Sequence, residues 1–302
     1  MKILVASSSP LAKNLLNHIK SSDHQLLGGI SSPDRASGRG QSVSSNEFAS
    51  YCQEIGVTCY KPSTNEELAD ILQKTQVELV ITLAYGRLIK TSELQIPKHG
   101  WLNVHFSLLP RWRGAAPVQR AIAAGDEQSG VTVFKLEQGL DTGPIYSTLS
   151  YPLNDRSRSD EVLKDLSSLC IQPVNQALIM IAAGEPPTTQ ESDGVTLAPK
   201  ILKSDGRIDW NRDSKMLDRQ IRAFQPWPGA YTSFNGTRIE IIEARVSDAD
   251  GAAGEVISLN PLLVGTGSGS LEIIRVKPEN KREMSSSDWL RGARITLPCA
   301  FE

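Results

Sequence analysis

Short apolar runs separated by amphipathic segments make up the first part of the chain. The runs are short and rich in β-branched residues, as buried strands are: KILVA at 2–6, QLLGGISS at 25–32, VTCY at 57–60 and VELVITLAYG at 77–86. The segments between them carry apolar side chains at helical spacing, at about 10–20, 45–55 and 65–75. Strands that alternate with helices form βαβ units, so this part predicts a mainly parallel sheet.

Beyond Gly125 apolar positions alternate with polar ones, which is typical of antiparallel strands. The predicted elements are strands at 130–138 and 144–153, helices at about 159–183 and 215–223, and strands at 237–246, 254–259, 261–267 and 270–276. Residues 185–205 are rich in Pro, Thr and Ser, which is typical of a linker. Short strands with regular turns predict a small β-barrel or sandwich at the end of the chain.

The pattern divides the chain into two domains. We expect an α/β, Rossmann-like domain over residues 1–188, a linker over 189–205 and a β-rich domain over 206–302. Ligands of open parallel sheets bind beyond the carboxyl ends of the strands. The loops expected at that edge follow Ala6, Ile30, Ala84 and Val104. The first of them, ASSSP, lacks the G-x-G-x-x-G fingerprint, so no dinucleotide site is predicted.

Composition narrows the class of protein only modestly. The 302 residues have a net charge of −2, which disfavours a dedicated polyanion-binding protein but allows a local basic face. The four Cys form no C-x-x-C pair and the four His no H-E-x-x-H motif, so we expect reduced thiols and no metal site. No signal-peptide pattern is present, and no apolar run approaches the roughly 20 residues of a membrane span. These features predict a cytoplasmic protein without a membrane partner.

Two polar residues, Asn103 and His105, flank Val104 at the end of a predicted strand. Strand alternation places both on one face, where two donors can stabilise an oxygen that becomes negative during acyl transfer. Asp141, in the loop GLDTGP, can reach the same edge, and a carboxylate there would fix the His tautomer and raise its proton affinity. Taken singly, each residue also fits a structural role, as a hydrogen-bonded strand terminus or an Asx turn.

The motif N-V-H followed by SLLPRWRG, with LDTG downstream, resembles the tetrahydrofolate-dependent formyltransferases. The resemblance covers essentially the whole chain. Its other segments are SSPDRASGRGQ, GAAPVQRAI, LAPKILKSDGRIDW, IRAFQPWPGAY and DWLRGARI. GAAPVQRAI and the C-terminal segments are similar to those of family members that act on tRNA. The resemblance also implies that the C-terminal domain is an OB-like β-barrel.

The resemblance implies a reaction and a set of site residues. 10-Formyltetrahydrofolate would give its formyl group to the α-amino group of methionine on initiator methionyl-tRNA, through a tetrahedral oxyanion intermediate. Asn103 and His105 would stabilise the oxyanion, while Asp141 orients His105 and assists proton movement to the departing N10. The folate pocket is expected to be lined by Tyr85, Gly86, Ser107, Leu108, Leu109 and Pro110. The tRNA contacts are expected at Arg39, Arg111, Arg113, Lys203 and Arg207.

Two features of the sequence bear on the expected tRNA contacts, namely the early loop and the charge of the C-terminal domain. The family often has further lysines where this chain has Gln41 and Ser42. Residues 201–302 carry 14 basic and 14 acidic side chains, so phosphate contacts there must come from local clusters. One of the two arginines of PRWRG could meet the folate tail instead. A monomer is expected.

Two alternatives remain open at this point. The nearest is a formyltransferase with the same polar trio that acts on a small amine, such as an amino sugar nucleotide. A purine-precursor enzyme does not account for the C-terminal domain. The alternative from a different class is a non-catalytic nucleic-acid-binding protein, and the joint presence of Asn103, His105 and Asp141 argues against it.

Overall fold

The computed structural model describes residues 1–37 and 42–302. These residues form two compact units, each with its own hydrophobic core. Unit 1 comprises Met1–Pro117, Gln128–Pro152 and Leu163–Pro199, and unit 2 comprises Val118–Glu127, Leu153–Val162 and Lys200–Glu302. Arg39 and Gln41, singled out in the sequence, lie outside the described residues.

Strands and helices alternate along the chain up to residue 183. The strands are β1 (Lys2–Ala6), β2 (Gln25–Ile30), β3 (Arg35–Ser37), β4 (Ser42–Ser44), β5 (Cys59–Tyr60), β6 (Leu79–Thr82), β7 (Trp101–His105), β8 (Arg113–Gly114), β9 (Gln128–Lys135) and β10 (Ile145–Pro152), with β11 (Leu197–Ala198) further on. The helices are α1 (Lys13–Ser21), α2 (Glu47–Glu54), α3 (Asn65–Thr75), α4 (Thr91–Leu94), α5 (Pro117–Ala124), α6 (Ser159–Leu169) and α7 (Ile171–Ala183).

Seven strands form the main sheet of unit 1, in the order β10-β9-β7-β6-β1-β2-β5. The five strands from β7 to β5 run parallel to one another. Strand β9 is antiparallel to β7 and β10 is antiparallel to β9. A short loop suffices to join β9 to β10, whereas the parallel strands need helical crossovers. The predicted α/β fold with a mainly parallel sheet is confirmed.

The strand predicted at 77–86 is shorter in the structure, since β6 ends at Thr82. Ala84 has φ +50° and Gly86 has φ +75°, values that belong to turns rather than to strands. The chain therefore bends over the carboxyl edge of the sheet at this point. Tyr85 consequently lies in a loop.

The helix predicted at 159–183 consists of two abutting helices, α6 and α7. Pro173, in the first turn of α7, has no N–H to donate to the preceding turn, which explains the break at Cys170. By length and composition alone the stretch Ser159–Ala183 could cross a membrane, since an 18-residue window within it has a mean hydropathy of 1.4. Part of its apolar surface is buried in the protein, including Val162, Leu166 and Val174, whereas Leu169 and Ile179 are exposed.

Unit 2 is built on an antiparallel sheet. Its elements are α8 (Ser214–Ala223), β12 (Ala230–Phe234), β13 (Thr237–Ser247), β14 (Val256–Leu259), β15 (Leu262–Gly265), β16 (Ser270–Pro278), β17 (Met284–Ser285) and α9 (Ser286–Ala293). The strand order is β12-β13-β16-β15-β14, with β17 beside β16. An aromatic cluster of Trp210, Phe234, Trp289 and Phe301 fills its core. The predicted C-terminal domain of antiparallel strands is confirmed.

Candidate active site

Strand β7 ends with two polar side chains at the carboxyl edge of the sheet. Asn103 and His105 lie on one face of this strand, and Val104 between them is buried on the other. The two-residue repeat of a β-strand is the reason. On its two sides β7 pairs with β6 and β9, which holds both polar side chains in fixed positions.

The carboxamide of Asn103 is oriented by Thr82 on the neighbouring strand β6. The hydroxyl of Thr82 donates to Asn103 Oδ1 over 2.8 Å and also lies 3.1 Å from the carbonyl oxygen of Leu102. With its oxygen turned toward Thr82, the carboxamide directs its nitrogen elsewhere. The N–H groups of Asn103 are thereby able to donate to a ligand oxygen.

The imidazole of His105 is held by a backbone carbonyl. Nε2 of His105 is 2.8 Å from the carbonyl oxygen of Trp112. A carbonyl can only accept, so Nε2 carries the hydrogen, and Nδ1 of the neutral ring keeps its lone pair. Trp112 has φ +66°, a left-handed conformation that is unfavourable for an aromatic residue. A strained backbone position thus fixes one tautomer of His105.

Asp141 faces the other ring nitrogen of His105. Its Oδ2 lies 3.8 Å from Nδ1, and the same oxygen accepts the backbone N–H of Gly114 over 2.8 Å. A separation of 3.8 Å is too long for a direct hydrogen bond, so Asp141 acts on the imidazole through the negative charge of its carboxylate. The side chains are only 5% and 12% exposed, and water therefore screens this interaction weakly.

Burial sets the protonation state of His105. Removal from water lowers the pKa of His105 below its ordinary value, while the negative charge of Asp141 and the carbonyl of Trp112 act in the opposite direction. The net direction is downward. The resting site therefore contains a neutral imidazole with a lone pair on Nδ1, close to a carboxylate.

We expect an NMR titration of the histidine rings to show a pKa for His105 below its ordinary value. Asp141→Asn should lower that pKa further, because it removes the charge that favours the imidazolium. The signals are assigned by their loss in His105→Gln. His99, whose pKa is lowered mainly by its own burial, serves as the internal control and should not respond to Asp141→Asn. An unchanged or raised pKa of His105 in Asp141→Asn contradicts the coupling.

Sequence comparisons identify the family. A family model described as formyl transferase matches residues 1–169, and one described as formyl transferase, C-terminal domain, matches residues 200–294. The methionyl-tRNA formyltransferase of Cutibacterium acnes is 37% identical, over 98% of this chain and 98% of that protein. The chain belongs to the methionyl-tRNA formyltransferase family. Both domains take part in the match, so the assignment does not depend on the catalytic half alone.

Solved structures agree with the formyltransferase fold. The methionyl-tRNA formyltransferase from Clostridium thermocellum has a TM-score of 0.60 and 17% identity, over 83% of this chain and 95% of that one. The N-formyltransferase from Helicobacter canadensis, in a complex with folinic acid and dTDP-3-aminofucose, has a TM-score of 0.66 and 18% identity, over 94% and 100%. Identities this low show a shared fold only. The assignment to the methionyl-tRNA formyltransferase family therefore rests on the sequence match.

The segment expected to line the folate pocket, Ser107 to Pro110, follows β7 directly. The hydroxyl of Thr132 donates to the carbonyl of Ser107 over 2.7 Å and accepts the N–H of Leu109 over 3.2 Å, which fixes the loop. Leu109 is buried, whereas Leu108 is half-buried and packs on Gly130. A Cβ at Gly130 would lie 2.2 Å from the backbone carbonyl oxygen of Leu149 and 2.6 Å from Leu108 Cδ2, and because the backbone cannot move aside, glycine is required there. The loop thus places an apolar surface within a few residues of His105.

Tyr85 and Gly86, also expected at the folate pocket, differ in burial. The ring of Tyr85 is buried in the hydrophobic cluster that includes Leu68 and Trp101. Its backbone carbonyl, in contrast, accepts the hydroxyl of Ser8 at the edge of the sheet. Gly86 has a left-handed φ of +75° and open space beside its Cα. Any part that Tyr85 plays in a ligand wall is therefore assigned to its backbone.

The basic residues expected to contact tRNA differ in the contacts that their side chains make. In unit 1, Arg111 stacks over the ring of Trp112 at 4.5 Å, and Arg113 donates to Gln190 through Nε and Nη2. In unit 2, Lys203 and Arg207 are exposed. Lys203 begins a short 3-10 helix, Lys203–Gly206, which Arg207 follows.

Four residues of the site were not predicted from the sequence: Thr82, Trp112, Gly114 and Gln190. Trp112 and Gly114 act through backbone groups, which no side-chain pattern reveals. Thr82 reads as an ordinary β-branched strand residue, and Gln190 lies in a stretch with linker composition. Among residues 1–37 and 42–302, no group of three or more His, Cys, Asp or Glu could hold a metal ion.

Proposed function

We propose that this chain transfers the formyl group of 10-formyltetrahydrofolate to the α-amino group of methionine on initiator methionyl-tRNA, for translation initiation. The observation that carries the proposal is the match to methionyl-tRNA formyltransferases over both domains, at 37% identity for the Cutibacterium acnes protein. The fold alone would leave the acceptor open, since an N-formyltransferase solved with an amino sugar nucleotide shares it.

The loop from Ser107 to Pro110 fits a folate. Leu108 and Leu109 give it an apolar character suited to the flat ring of a pterin, and backbone groups beside them can pair with the ring edge. When bound there, 10-formyltetrahydrofolate supplies the reactive formyl carbon. That carbon would lie near His105, because this residue ends the strand from which the loop departs.

Asn103 would act on the formyl oxygen. When the neutral α-amine adds to the formyl carbon, negative charge develops on that oxygen. The carboxamide of Asn103, already turned by Thr82, donates an N–H to it. A donor positioned before the reaction needs no reorganisation as the charge appears, and for this reason such donors contribute strongly to the rate.

His105 and Asp141 would move the proton. Nδ1 of the neutral His105 ring accepts the proton that the attacking nitrogen must lose, and the carboxylate of Asp141, 3.8 Å away, stabilises the resulting imidazolium. Nδ1–H then donates to the negatively charged oxygen and passes the proton to the departing N10. The proton leaves one nitrogen and arrives on the other, so no acid or base is consumed.

The tRNA would contact both halves of the chain. We assign Lys203 and Arg207 to the phosphate backbone because both are exposed. Arg111 and Arg113 lie close to the reacting groups along the chain and would meet the end of the acceptor or the folate tail. We also propose Arg39 as a tRNA contact, because the resemblance to the family implies one at this position.

The domain organisation forms part of the proposal. Residues 1–188 would be the catalytic domain, 189–205 the linker and 206–302 the tRNA-binding domain. We further propose a cytoplasmic monomer without a membrane partner. The burial of Val162, Leu166 and Val174 of α6 and α7 inside the protein supports the last point.

A direct assay tests the function. Labelled 10-formyltetrahydrofolate is mixed with charged initiator tRNA, with charged elongator methionyl-tRNA and with an amino sugar nucleotide. We expect formyl transfer to initiator methionyl-tRNA at the highest kcat/KM, with little transfer to the other acceptors. Uncharged initiator tRNA controls for labelling at other sites. Preference for the sugar nucleotide would establish the alternative formyltransferase function, and transfer to none of the acceptors would contradict both.

A further inference from the structure

Gln190 connects the two halves of the site. Its Nε2 donates to the backbone carbonyl of Asp141 over 2.8 Å and to that of Gly143 over 2.7 Å. Its Oε1 accepts from Nη2 of Arg113 over 2.7 Å and from Nε over 3.2 Å. Two carbonyls require donors and one guanidinium requires an acceptor, so the orientation of this amide is fixed. Every hydrogen-bonding position of the Gln190 side chain is thus in use.

Residues 188–198, which we call the strap, hold the other side of the site as well. Thr196 accepts the N–H of Trp112 at its hydroxyl over 2.9 Å and the N–H of Arg113 at its carbonyl over 2.9 Å. Leu197–Ala198 pairs with Arg113–Gly114 as β11 and β8. At its start, the strap exchanges two backbone hydrogen bonds between Thr188 and Ile145. Hydrogen bonds therefore fix both ends of the strap to unit 1.

The strap contacts both partners of His105. Through Thr196 it secures the strained backbone of Trp112, whose carbonyl accepts from Nε2 of His105. Through Gln190 it secures the backbone of Asp141, whose carboxylate faces Nδ1. The segment lies about 50 to 80 positions from these residues in the sequence and forms no part of the catalytic trio.

We propose that Gln190 is a positioning residue for formyl transfer, which sets the distance between the Asp141 carboxylate and the His105 imidazole by tying the Asp141 loop to Arg113. The inference rests on the proposed function. Asp141 lies in a loop with a left-handed φ of +51°, a conformation that depends on its surroundings. Gly114 fixes the carboxylate and Gln190 fixes the backbone, so losing the Gln190 bonds frees the loop while the charge remains.

Two variants of Gln190 separate its two sets of bonds. Gln190→Glu keeps an acceptor for Arg113 but removes both donors to the loop carbonyls, and Gln190→Met removes all four bonds at similar size. We expect either variant to lower kcat by roughly 10- to 100-fold with KM changed little, since small displacements of catalytic groups have effects of that order. Glu191→Gln, at the exposed neighbouring position, is the matched control and should behave as wild type.

A second readout distinguishes positioning from a general structural role. In Gln190→Met, which adds no charge, the pKa of His105, measured by NMR, should fall below its wild-type value, because the Asp141 carboxylate is the charge that opposes the effect of burial. Among the described residues, Asp141 is the charged group that shifts the pKa of His105. Thermal melts identify variants that fail to fold, and only folded variants are compared.

The measurements of kcat and of the His105 pKa test the positioning role of Gln190 separately from the proposed formyl transfer. A fall in kcat together with the shift in the His105 pKa supports positioning. Wild-type kcat in a folded Gln190→Glu protein, or a reduced kcat with an unchanged His105 pKa in Gln190→Met, overturns it. If the wild-type protein formylates none of the acceptors, the proposed function fails, while the His105 titration still decides whether Gln190 sets the geometry of the pair.

Discussion

We expect Asn103→Ala to lower kcat for formyl transfer by roughly 100- to 1000-fold, the typical cost of losing one oxyanion donor. The loss should fall on kcat rather than KM, because the oxygen becomes fully charged only as the amine adds to the carbon. Steady-state kinetics with initiator methionyl-tRNA and 10-formyltetrahydrofolate measure both constants. Asn103 is partly exposed at the end of β7, so the substitution should leave the fold intact.

Thr82→Val provides a graded comparison for Asn103. It keeps the carboxamide but removes the hydroxyl that orients it, and a single hydrogen bond contributes about 1 kcal/mol, or roughly a factor of five. We therefore expect a much smaller loss of kcat than in Asn103→Ala. Near-normal formyl transfer by a folded Asn103→Ala protein would falsify the oxyanion role.

The second large effect is expected for the proton-transfer pair. His105→Ala should lower kcat by about 100- to 10,000-fold, the range for loss of a positioned acid–base group. Asp141→Asn retains an acceptor for the Gly114 N–H but removes the charge that stabilises the imidazolium. It should therefore also lower kcat, by roughly 100-fold or more. Thermal melts of each variant control for loss of fold.

The double variant tests whether His105 and Asp141 act as a unit. If Asp141 works through His105, the loss in His105→Ala/Asp141→Asn should be about the same as in His105→Ala alone. Losses that multiply would mean that the two residues act in separate steps. Such a result would leave the trio in place but overturn the proton path through Nδ1.

Much of the candidate site follows from local sequence. Asn103 and His105 alternate at the end of an apolar strand, and that alternation alone places them on one face. Asp141 could be added only because its loop motif matched the family. The strand beyond Thr82 was predicted too long, because the apolar run continues through Leu83 and Ala84 although the backbone has already turned.

The groups that orient the trio could not be derived in this way. Trp112 acts through its carbonyl, and the Gln190 side chain connects positions 49 and 77 residues away. No periodicity or composition encodes such contacts, because each depends on where another part of the chain lies in space. The Pro- and Thr-rich composition of residues 185–205 predicts a linker. Composition does not reveal that part of this segment, β11, pairs with β8 in the folded protein.

By itself, the sequence determined which elements form and which chemical groups are present, since apolar periodicity and residue type are local properties. It specified a parallel α/β half, an antiparallel β half and a carboxamide, an imidazole and a carboxylate with suitable chemistry. Only the tertiary structure decided that His105 carries its hydrogen on Nε2, that Asp141 lies 3.8 Å from Nδ1 and that Gln190 ties the loop in place. Protonation and distance depend on burial and on partners distant in sequence, and only folding brings those together.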